Sequence, residues 1–108
     1  MNKEQKRELV RLAELAYERE LGHWLSQLQV HFNAWQRGGI TASELCGHVH
    51  EFHQGPARDV WSRHAGLKHP ARVAWGLAHG FLAESEVDPP VLDVVRATAE
   101  VFRQLEQG

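Results

Sequence analysis

From residue 3 to residue 37 the chain contains no proline, and its apolar residues return with helical spacing. Leu9, Leu12, Ala13 and Ala16 form one stripe, and Leu21, Leu25, Leu28, Phe32 and Trp35 continue it at i, i+4, i+7. This pattern predicts one long amphipathic helix. Gly22 stands where the two stripes join, a place for a bend. The polar face alternates in sign through Lys3, Glu4, Lys6, Arg7, Glu8, Arg11 and Glu14, and pairs such as Glu4–Arg7 and Glu8–Arg11 add modest support. Gly38-Gly39 ends the run as a helix C-cap does. The rest of the chain must then fold against this one helix.

Thr41 followed by Glu44 is a capping box opening a second helix, with Leu45, Val49 and Phe52 inward. Gly55-Pro56 is expected to stop it, and Pro56 suits the first turn of a short third helix carrying Val60, Trp61 and Ala65. Gly66 closes that one. Pro70 opens a fourth helix with Val73, Ala74, Leu77 and Phe81 inward. Gly76 and Gly80 lie on its flank, where a neighbouring helix can approach closely. An acidic loop runs from Glu84 to Asp88. Asp88-Pro89 starts a fifth helix, where Val91, Val95, Thr98, Phe102 and Leu105 recur at i, i+4, i+7. No segment alternates with period two, and no repeat is present. The expected fold is all-α: residues 1–108 form a single helical domain of about five helices, a long N-terminal helix packed against four shorter ones as an irregular bundle.

Composition narrows the function. The 108 residues carry 12 Lys plus Arg against 14 Asp plus Glu, a net charge of −2. That balance provides no basic field for a duplex or an anionic membrane. Cys46 is the only cysteine, which excludes an internal disulfide framework and points to a reducing compartment. The N-terminus has no signal-peptide character and no stretch suits a membrane span, so the expected location is cytoplasmic, with no membrane partner.

The stretch Thr41–Trp61 concentrates the reactive side chains. On a helical wheel Cys46, His50 and His53 form one strip at i, i+4, i+7, beside the Leu45/Val49/Phe52 line. Thiolate and imidazole one turn apart can share Zn²⁺, so Cys46, His50 and His53 are candidate metal ligands. A further ligand would have to come from His23, His31 or His64, since no second cysteine and no HExxH spacing exist. The same region offers a catalytic set: His50 or His53 as general base, Glu51 as orienting carboxylate, and Arg58 as anion clamp. Partly exposed histidines bonded to backbone explain the same letters with no chemistry at all.

His-Glu-Phe-His-Gln-Gly-Pro-Ala-Arg-Asp-Val-Trp (50–61), with Ile40–Leu45 before it and Glu86–Leu92 after, resembles a group of small bacterial all-α proteins of about this length. The resemblance covers most of the chain from Gly39 onward and implies an independent helical protein, with no activity to carry over. A second resemblance is to HEPN-type ribonucleases, compact all-α dimers that place an Arg a short spacer before a His. Arg58 and His64 have five residues between them, and Arg72 and His79 have six. Metal-free RNA cleavage needs an acid or base and a cation on the phosphate. Arg72 and His79 fall on one helical face, opposite the core stripe, whereas Arg58 and His64 diverge, with His64 toward the apolar side. The resemblance therefore implies Arg72 and His79 as the pair; outside it, nucleic acid is not an expected partner.

Trp24, Trp35 and Trp61 fall on or beside apolar stripes and are expected in the core. Trp75 falls outward, on the Arg72/His79 side. Surplus apolar surface on the fourth and fifth helices points to self-association as a homodimer, or to a protein partner. The reading is of an interaction or regulatory module rather than an enzyme.

Overall fold

The computed structural model describes residues 1–107, and the fold is all-α, with no strand among the described residues. Helix α1 spans Lys3–Gln36 and is followed by α2 (Ala42–Phe52), a π turn (His53–Ala57), α3 (Arg58–Gly66), α4 (His69–Ala78), a 3₁₀ turn (Glu84–Glu86) and α5 (Pro89–Gln107). The long N-terminal helix packs against the shorter ones, as the periodicity predicts. It passes through Gly22 without interruption.

Gly38-Gly39 stops α1 as expected, and Gly80, expected on the flank of the fourth helix, ends α4 instead, before Phe81. Gly38 takes φ +77°, its N–H donates to Trp35 O at 3.0 Å, and that of Gly39 donates to Ala34 O at 2.8 Å. That pairing is a Schellman motif. Gly80 repeats it at the end of α4, with φ +78° and the Phe81 N–H donating to Gly76 O at 2.8 Å. The Thr41–Glu44 capping box is formed reciprocally.

Gly55-Pro56 does not stop α2. Phe52 (φ −60°, ψ −48°) and Arg58 (φ −66°, ψ −41°) both keep helical backbone, and Pro56 sits inside the π turn. Proline has no N–H for the carbonyl four residues back, and its ring crowds that carbonyl. Widening the turn moves the hydrogen bonds to i+5 and accommodates it. The wider turn also shifts phase. In an unbroken α-helix Phe52 and Val60 would stand about 80° apart; one extra residue in the turn removes about 100° and brings them within about 20°. Leu45, Phe52, Val60 and His64 thereby share the inner side of one bent rod, and Leu45, Val60 and His64 are buried.

The apolar core lies at one end. It joins Leu9, Leu12, Ala13 and Ala16 of α1 to Val73, Ala74 and Leu77 of α4 and to Val91, Leu92, Val95 and Ala99 of α5, with Leu82 and Val87 between. A Cβ on Gly76 would stand 2.8 Å from Ala16 Cβ and 2.9 Å from Leu82 Cδ1. The missing side chain therefore sets the α1–α4 approach. The C-terminal half of α1 runs on beyond this core and forms an arm with α2. The extents of the chain as a whole are 53 × 32 × 24 Å and its radius of gyration is 16.9 Å, against about 13 Å for a compact domain of this length.

Candidate functional site

The residues nominated by the sequence separate into different regions. Cys46, His50 and His53 are all exposed along the α2 rod. Among the described residues no group of three or more His, Cys, Asp or Glu side chains is placed to hold a metal ion. Of the catalytic set, His53 and Arg58 line one cleft with Gln54, Ala57 and Trp61. Glu51 lines another, with Trp24, His31, His48 and Phe52, where the His31 and His48 rings stack at 3.6 Å. His50 lines neither. The four side chains do not converge on one reacting centre.

Arg72 and His79 are also drawn apart. Arg72 is buried rather than on an outer face: its Nε donates to His64 Nδ1 at 3.1 Å and its Nη2 to Ala13 O at 3.2 Å. His79 stacks on Trp75 at 3.7 Å and bonds Glu106 and the Trp75 carbonyl. Its two ring nitrogens are thus occupied far from the guanidinium. The side of α4 that the helical wheel leaves to solvent is covered by α3 and α5. Trp75 is accordingly half-buried, with Arg63 over one ring face at 4.3 Å and Phe102 edge-on at 5.5 Å.

What the structure assembles instead is a buried polar network centred on Glu20, a residue the sequence reading passes over. Glu20, His64 and Arg72 are 5%, 4% and 8% exposed. Glu20 Oε1 accepts from His64 Nε2 at 2.8 Å and from Trp75 Nε1 at 3.1 Å, and Oε2 accepts from Arg63 Nη1 at 2.6 Å. Because Arg72 Nε–H points at Nδ1 of His64, that nitrogen is the acceptor and Nε2 carries the proton. Arg72 reaches Glu14 at 3.4 Å, and Tyr17 lies edge-on to His64 at 5.2 Å. Among the described residues no buried side-chain nitrogen or oxygen lacks a hydrogen-bond partner. With both imidazole nitrogens engaged, the network clamps α1, α3 and α4 together and leaves no free base. The signal for it was Glu20 itself, an acidic residue at the seam of two apolar stripes.

A second feature is on the surface. Trp35 and Trp61, expected inside, are exposed, and so are Leu25 and Phe32. Helices α4 and α5 pack on the N-terminal half of α1 and leave its outer half uncovered; Trp61 is turned outward because the π turn points Val60 inward in its place. From Leu21 to Gln36 the chain has no Asp, Glu, Lys or Arg. Within that stretch Leu25 is 48%, Phe32 39% and Trp35 42% exposed. On α2, Val49 is exposed as well. Depletion of charge with enrichment in aromatics is the compositional mark of an interface core.

No protein-family model, curated protein or solved structure matches the chain. No helix among the described residues is long and apolar enough to cross a membrane.

Proposed function

We propose that the chain is a protein-interaction module that acts as a homodimer, its arms pairing through Leu25, Phe32 and Trp35. The observation that carries this is the exposed, charge-free face on a half-helix lying beyond the core. A two-helix arm is one layer, and a layer stabilises its apolar face by packing on another. A second copy supplies an equivalent α1/α2 hairpin and completes a four-helix bundle. A face without charges places no like charges against each other across a two-fold axis, which suits an isologous interface. Leu21, Leu25, Leu28, Phe32 and Trp35 follow one another at alternating spacings of four and three, the a/d seam of a helix pair.

The test is light scattering with size-exclusion chromatography across a concentration series. Wild-type protein is expected to run as a dimer, and Leu25→Glu combined with Phe32→Glu as a folded monomer with unchanged far-UV circular dichroism. A wild-type chain that stays monomeric at high micromolar concentration sinks the reading. A dimer indifferent to the double substitution moves the interface elsewhere.

A further inference from the structure

The cleft along the π turn shares no lining residue with the buried network or with the exposed apolar face of α1. Trp61, at its edge, is the most exposed aromatic side chain among the described residues, at 62%. Arg58 and His53 beside it are exposed, and among the described residues neither enters an ion pair. In an α-helix residues five apart diverge by about 140°; the π turn takes out about 100° and sets His53 and Arg58 within about 40°. By the same shift Trp61 falls within about 20° of His53. The feature that reconciles α2 with α3 thus also gathers an indole, a guanidinium, an imidazole and the Gln54 amide on one strip. π turns of this kind are frequent at functional sites.

We propose that this strip binds a nucleoside phosphate, the base stacking on Trp61 and the phosphate held by Arg58 and His53. An exposed indole is a stacking platform for any base. Arg58 offers a planar fork of donors, and His53 and Gln54 add N–H groups, a set suited to the several oxygens of a phosphate. Arg58 and Trp61 are three residues apart, about one helical turn or 5 Å along the axis, so ring and anion reach their partners together. The acidic Asp59 is adjacent in sequence but about 100° round the helix from Arg58. With a net charge of −2, the chain lacks the extended basic track a long strand requires. The ligand is therefore a free mononucleotide or the phosphorylated end of a single-stranded RNA.

Isothermal titration of the full chain with AMP, adenosine, inorganic phosphate and a 5′-phosphorylated RNA tetranucleotide tests this. AMP is expected to bind one per chain. Adenosine and phosphate alone are each expected at least about ten-fold weaker, because each keeps only one of the two contacts. Trp61→Ala and Arg58→Ala should each weaken AMP by about ten-fold or more; both positions are exposed, so the fold stays intact. RNA binding tighter than AMP identifies the chain end as the source of the phosphate, and equal affinity identifies the free nucleotide. No heat with AMP at millimolar concentration, or AMP binding unaltered by both substitutions, overturns the proposal.

Discussion

Gly76 shows how far one hydrogen atom can set a fold. Alanine is the better helix former by about 1 kcal/mol, yet its methyl group would collide with Ala16 and Leu82 in the tightest part of the core. Overpacking outweighs propensity here, and Gly76→Ala is expected to destabilise by about 1–3 kcal/mol in a urea titration. Glu20 is the other residue whose removal should be felt widely. It is the shared acceptor for His64, Trp75 and Arg63, and truncation leaves buried donors without a partner. Glu20→Ala is expected to cost about 3 kcal/mol. Nuclear magnetic resonance of the Trp75 indole N–H should report the loss directly, since the indole nitrogen donates to the Glu20 carboxylate at 3.1 Å. A variant with wild-type stability and an unmoved indole resonance would show that the network is ornamental.

At the scale of elements, periodicity made α1, α4 and α5 legible and capping residues fixed Thr41 and Gly38 as boundaries, whereas Gly80 reads as a flank residue of the fourth helix and in fact ends it. The bent rod of α2 and α3 was read as two helices because Gly-Pro ordinarily breaks one. A π turn leaves little local trace in a sequence; it betrays itself only as two apolar lines about 100° out of phase. The buried network was hidden for a related reason: its members come from three elements and share no local spacing. His64 was placed toward the apolar side, but its partners Glu20 and Arg72 are 44 and 8 residues away. The connection between α4 and α5 adds a pH-dependent tie. Arg19 donates to both Glu86 oxygens at 2.8 Å, and this, with the Ala83 N–H, lowers the Glu86 pKa to about 2. A depressed carboxylate contributes stability that is present above the unfolded pKa and lost as pH falls through the folded one. The stability gap between wild type and Glu86→Gln should thus be level above about pH 5 and close as pH approaches 2. Denaturant midpoints at a series of pH values measure it, and a gap independent of pH would remove Glu86 from the account.

Across the whole molecule, core and arm divide α1 between them. The N-terminal half is buried under α4 and α5, and the outer half has only α2 beside it. Native-state hydrogen exchange should find two levels of protection, high in residues 9–20 and lower in residues 24–36, in a monomeric variant such as Leu25→Glu with Phe32→Glu. Under the proposed pairing of arms, the outer half of the wild-type chain should gain protection with concentration. Uniform protection along α1 in the monomer would mean that the arm draws its stability from the core after all. The bent rod that completes the arm also bears on how this chain can change in length. The connection at residues 37–41 can gain or lose a residue and leave each helix facing as before, whereas that at 79–88 is held by the buried Leu82 and Val87. Within the rod one change of length is neutral for facing: removing the extra residue of the π turn would leave Phe52 and Val60 seven positions apart in an ordinary helix, again within about 20° of each other. Val60 and His64 would still face α1, so the π turn marks a place between Ala42 and Gly66 where a lineage of such proteins can lose a residue and keep the rod's inner side.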